Sequence, residues 1–115
     1  MASILEQATA NFESRPLLHI DVPEWSEDPA QPVRVYFKTP NSAMLNKITK
    51  ESNGSSVEEV ARLVAYVVTD EKGQKLFQPL EYKTLMTHTD PVALSRVAAA
   101  IMAGARMDVA DAEKN

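Results

Sequence analysis

Residues 17–37 read LLHIDVPEWSEDPAQPVRVYF, and this stretch decides the fold. Leu18, Ile20 and Val22 alternate with Leu17, His19 and Asp21, the period of two of a half-buried strand over 17–22. Val33, Val35 and Phe37 alternate with Arg34, Tyr36 and Lys38 in the same way. Between them, Ser26 to Pro32 is a polar turn carrying Pro29 and Pro32, too long for a two-residue hairpin loop. Two strands alone are unstable, so the hairpin must pack on helices or pair with another chain.

Working outward, helical periodicity takes over on both sides. Residues 2–13 predict a short helix with Ile4, Leu5, Ala8 and Phe12 on one face, and Arg15-Pro16 breaks it. A helix this short is marginal in water and needs something to pack on. After the hairpin, Thr39-Pro40 reads as a hydroxyl cap followed by a first-position proline. Met44, Leu45 and Ile48 then form an apolar stripe, and Asn53-Gly54 stops the helix. Ser56-Val57-Glu58-Glu59 reads as a capping box. The helix it opens carries Val57, Val60, Ala61, Val64, Val67 and Val68 at core spacing, widened by Leu63 and Tyr66. Its valines run against helix propensity, so packing must hold it.

Asp70-Glu71-Lys72-Gly73 is a turn, and Lys75-Leu76-Phe77 an extended segment that anchors Phe77. Pro79 starts a short helix to about His88, and Thr89-Asp90-Pro91 caps a last helix bearing Leu94, Val97, Ala98, Ile101 and Met102. Its remaining faces are rich in alanine, which lets neighbours approach closely. From Met107 the chain is acidic and built of small residues, and reads as an unfolded tail. The expectation is an α+β fold: an N-terminal antiparallel β-hairpin on a bundle of three to five helices. Its divisions are an N-terminal segment at 1–16, one domain at 17–106 and a disordered tail at 107–115.

With 115 residues the chain has length for one domain. Its net charge is −4, from 12 Lys plus Arg against 16 Asp plus Glu, with no basic block. That argues against nucleic acid and against an anionic membrane as partners. There are no cysteines, which removes disulfides, thiolate nucleophiles and cysteine-held metals and fits a reducing cytoplasm. The first residues lack the basic and apolar regions of a signal peptide. No apolar run approaches the roughly 20 residues of a membrane span.

Nothing in the sequence converges on catalysis. His19 stands on the polar side of a strand and His88 beside a helix end, too few ligands for a metal site. The carboxylate pairs Glu58/Glu59 and Asp70/Glu71 fall where capping and turn solvation explain them, and sequence neighbours on a helix point apart. The three glycines are not clustered, so no phosphate loop exists. The expectation is a protein that is not an enzyme and has no cofactor. Trp25, beside Pro23 at the strand end, reads as a plug between hairpin and bundle. Methionine makes adaptable apolar surfaces. The residues expected to meet a partner are Met44, Leu45, Ile48, Met86, Ile101 and Met102.

The order of these pieces resembles the tail assembly chaperones of long-tailed (siphovirus-type) bacteriophages. The matching residues are VPEW at 22–25, VRVYF at 33–37, ARLVAYVVTDEKGQKLF at 61–77 and DPVALSRVAAAIM at 90–102. Where that family often carries acidic residues at the start of the first helix, this chain has Thr39-Pro40-Asn41-Ser42. The resemblance implies a protein that coats the tape measure protein, keeps it soluble and promotes tail tube assembly around it. It would work in the host cell cytoplasm and be absent from the mature virion. It also implies a longer frameshifted form that contacts the tail tube protein; the ending Glu113-Lys114-Asn115 permits a slippery codon run. Self-association is expected from free strand edges. The rival reading is a structural minor tail or tail-completion subunit retained in the virion.

Overall fold

The computed structural model describes the backbone of residues 3–114 and the side-chain surroundings of residues 3–104. The elements are α1 (Ile4–Glu13), β1 (Leu18–Val22), β2 (Val33–Phe37), α2 (Ser42–Ser52), α3 (Ser56–Val67), α4 (Tyr82–His88) and α5 (Pro91–Lys114). Single turns of tighter helix at Pro23–Trp25 and Pro79–Glu81 each begin on a proline, whose fixed φ suits a first helical position. The α+β hairpin-and-bundle architecture expected from sequence is the one observed.

β1 and β2 pair antiparallel with Leu18 opposite Phe37, Ile20 opposite Val35 and Val22 opposite Val33. Val22, Val35 and Phe37 are buried, and Leu18 and Ile20 pack half-buried against the same core. On the other side His19 and Tyr36 stack at 5.6 Å, and Arg34 pairs with Asp21 at 2.8 Å. The hairpin also gains a neighbour that the sequence does not announce. Tyr36 and Thr69 exchange backbone hydrogen bonds of 2.9 and 2.7 Å, and Thr69 in turn pairs with Lys75. Part of the outer edge of β2 is thereby covered. The turn that returns the chain is held by the Asp70 carboxylate, which accepts from the backbone N–H of Lys72 (2.8 Å) and Gln74 (3.0 Å). Gly73 supplies the positive φ of 84° that this turn requires.

α3 is the central helix. Ala61, Val64, Ala65 and Val68 are fully buried against Leu85 of α4 and Ala93, Leu94, Val97 and Ile101 of α5. Burying each Val, Leu or Ile side chain contributes about 1.5–3 kcal/mol, which outweighs the valines' weak helix preference. α5 comes close to the hairpin because residue 104 is glycine. A Cβ there would lie 2.8 Å from Leu18 Cδ1 and 3.5 Å from Phe37 Cε2. Phe77 is half-buried and meets the Trp25 ring edge-on at 6.1 Å, so Trp25 does plug the hairpin onto the bundle. An Arg96–Glu24 ion pair ties α5 to the same corner.

Several local readings need correction. The cap of α2 is Asn41, whose side-chain oxygen accepts from Met44 N–H at 2.8 Å, and not Thr39. Asparagine is at least as good a cap as threonine, so the helix starts after the Thr-Pro pair. The cap of α3 is Ser55, accepting from Glu58 N–H at 3.2 Å, one residue before the serine favoured by the capping-box spacing. The Ser55 N–H is taken by Ser52 C=O, so no reciprocal box is needed. Val57, expected in the core, is 59% exposed. It lies in the first turn of α3, before the neighbouring helices cover that face. α5 continues as helix to Lys114, past Met107 where the sequence reading begins an unfolded tail; Ala110 and Ala112 favour helix there. α1 forms as expected, but none of its residues is buried.

Candidate partner-binding groove

Three helices turn a stripe toward an open groove, whose floor of Ile48, Leu63 and Ala98 is itself buried in the core. On α2 it is Leu45, Ile48 and Thr49; on α3, Ser56, Glu59, Val60 and Leu63; on α5, Ser95, Ala98, Ala99 and Met102. Each set follows the three-and-four spacing that lines up one helix face. Together they enclose an open groove of about 580 Å³. The concavity follows from residue size. Ser56, Ser95, Ala98 and Ala99 are too small to fill the space between the larger Leu45, Leu63 and Met102. Glu59 is the one charged residue in this lining.

The walls are fixed by a polar cluster at the end of α2. Arg62 of α3 donates to Glu51 of α2 at 2.8 Å and to the Tyr66 hydroxyl at 2.8 Å, and the Tyr66 hydroxyl donates to Glu51 at 2.5 Å. The Arg62 guanidinium also lies 3.9 Å from the centre of the Tyr82 ring of α4. With only 12% of its side chain exposed, Arg62 is held on several sides at once. Burial pushes the Tyr66 hydroxyl above its ordinary pKa, and the hydrogen bond to Glu51 adds to this. The cluster sets the distance between α2 and α3, and so the groove's width.

The residues expected at a partner surface divide between sites. Leu45, Ile48 and Met102 meet in the groove, with Met102 44% exposed. Ile101 is fully buried: one step round α5 from Met102, it faces the core and supports the groove from beneath. Met44 lines a separate depression of about 430 Å³ with Leu17, Lys38, Tyr66 and Lys75. Met86 is half-buried against the core on α4, away from the groove lining. Val60, Leu63, Ala98 and Ala99 complete the groove, and sequence reading assigned the first three to core. Their signal was the width of the apolar face of α3 beside the alanines of α5.

Elsewhere the polar residues make local contacts. His19 is exposed beside Tyr36, and His88 lies in the last turn of α4 with Nδ1 2.7 Å from Thr87 Oγ1. Glu58 pairs with Arg62 at 3.4 Å, and Asp70 holds its turn. Among the described residues no group of three or more His, Asp or Glu side chains could hold a metal ion. Among them, too, no helix is long and apolar enough to cross a membrane. The Trp25 indole N–H is buried without a hydrogen-bond partner among the described residues.

No protein-family model, no curated protein and no solved structure matches the chain.

Proposed function

We propose that the chain is a phage tail assembly chaperone acting by binding alone, without catalysis or cofactor, in the host cell cytoplasm. The observation that carries this reading is the open apolar groove between α2, α3 and α5. Its largely apolar lining, drawn from three helices, suits one face of an amphipathic helix presenting anchors at i, i+3, i+4 and i+7. The tape measure protein, as the resemblance describes it, is a long apolar helical client that aggregates unless covered. Many copies along one elongated client turn weak single contacts into avidity. Release follows from competition by tail tube subunits, which a longer frameshifted form would recruit.

Co-expression with the tape measure protein tests the reading. The wild type should keep that protein in the soluble fraction, and an Ala99→Glu, Met102→Glu variant should let it pellet. A client that pellets equally with the wild type contradicts the proposal. Finding the chain at stoichiometric level in purified virions would instead favour a retained minor tail or tail-completion subunit.

A further inference from the structure

The groove between α2, α3 and α5 is not uniform along its length. α2 and α3 run antiparallel: Glu51 meets Arg62, and the Lys47 ammonium lies 5.6 Å from the centre of the Tyr66 ring. Thr49 therefore falls beside Ser56 and Glu59 at the start of α3, and Leu45 falls nearer Leu63, further along. Met102 stands at the Leu45 end, since the two share a second depression. One end of the groove is thus apolar, and the other carries two hydroxyls and a carboxylate. That carboxylate is unmatched. Glu51 and Glu58 both pair with Arg62, whereas the Glu59 carboxylate makes no ion pair or hydrogen bond among the described residues. Glu59 is half-buried, and the described lining holds no lysine or arginine.

We infer that the client helix selected by this groove carries a lysine or arginine flanking its apolar stripe, and that this cation pairs with Glu59. With the groove as the client site, on which this rests, Glu59 distinguishes one apolar helix from another. A helix laid over the groove removes water from Glu59. An ionised carboxylate taken out of water without a partner is costly. A client with no cation at that end therefore binds less well, and one with a carboxylate there is repelled. Lysine and arginine meet the need through their shape: the methylene stem lies along the apolar floor while the charged head reaches the carboxylate. The hydroxyls of Thr49 and Ser56 line the same end and can accept further N–H bonds from that head. The net charge of −4 draws a basic segment toward the protein but does not choose where it seats. The apolar stripe supplies affinity, and Glu59 supplies register, because the lining is charged at one end alone.

Two synthetic amphipathic helices, titrated with the full chain and followed by fluorescence anisotropy, test this. Both present leucine at i, i+3, i+4 and i+7. One has lysine at both flanks of that stripe and the other has glutamate, so that either direction of seating is sampled. The wild type should bind the lysine helix roughly fivefold tighter, the scale of an ion pair at the edge of an interface. The difference should shrink as salt is raised. Glu59→Gln should lose most of this preference and Glu59→Lys should reverse it, with unchanged melting curves verifying both folds. Equal binding of the two helices by the wild type overturns the inference and leaves the groove standing as the client site. A preference kept in full by Glu59→Gln also overturns it, since net charge rather than Glu59 would then be its source. A wild type that binds neither helix overturns the groove as the client site, and the role of Glu59 falls with it.

Discussion

α1 and α3 begin alike and end differently. Each is capped by a serine accepting a backbone N–H three residues on, and each carries an apolar stripe over ten to twelve residues. Yet α3 buries Ala61, Leu63, Val64, Ala65, Tyr66 and Val67, while α1 buries nothing. The difference teaches that a cap and a stripe specify a helix but not its partner. α3 finds its partners among α2, α4 and α5. α1 lies ahead of Pro16, outside the hairpin-and-bundle core, and Ile4 and Leu5 of its stripe stay exposed.

The sharpest way to break this comparison is to place a charge on each stripe. Val64→Asp puts an unpaired carboxylate at a fully buried position and should unfold the domain, a loss above about 4 kcal/mol. Leu5→Asp on α1 should leave the midpoint of urea unfolding unchanged for the monomer. Equal effects from the two substitutions would mean that α1 belongs to the core after all.

A smaller effect is expected at Arg62. Arg62→Ala leaves Glu51 and the Tyr66 hydroxyl without their shared donor and removes the contact with the Tyr82 ring. The cost should be about 2–3 kcal/mol by denaturant titration. Because Arg62 sets the spacing of α2 and α3, client affinity should fall with it. Unaltered stability would show the cluster to be incidental.

The caps sharpen the comparison further. Ser55→Ala should cost about 1 kcal/mol of global stability, since α3 carries the core. Ser3→Ala should lower helical content slightly with no change in the global midpoint, because α1 does not take part in that transition. Amide exchange resolved by residue separates the two.

The smallest effect is expected on the hairpin surface. The hydrogen bond from Arg34 holds the Asp21 carboxyl below its usual pKa. A depressed carboxyl contributes stability above the ordinary carboxylate range and loses it as pH falls through the lowered value. Arg34→Ala should therefore flatten the acid limb of the stability curve only slightly, because both groups are exposed.

How much of this was legible follows from the range of each interaction. The hairpin could be read from alternation alone, because Leu18, Ile20, Val22, Val35 and Phe37 obey a period set within each strand. The helix starts were legible to within one or two residues: Ser55 and Ser56 are both serines, and Asn41 follows the Thr-Pro pair closely. The Tyr36–Thr69 pairing was not legible, since it joins residues far apart in the chain through backbone atoms whose sequence carries no mark. The groove was half legible. Leu45, Ile48 and Met102 stood out as apolar residues on helices, but concavity depends on small residues from three elements meeting in space. Ile101 was misplaced because neighbouring positions on an apolar, alanine-rich helix give no local sign of which one turns inward.

The groove's role can be read most directly from methionine methyl resonances while an amphipathic helical segment of the tape measure protein is titrated in. Met102 lies in the groove, and Met86 is half-buried against the core on α4, away from it. The Met102 methyl should shift progressively to saturation while the Met86 methyl stays in place. A Met102 signal unmoved at saturating segment, or a change of equal size at Met86, would contradict the groove as the place where this protein holds its client.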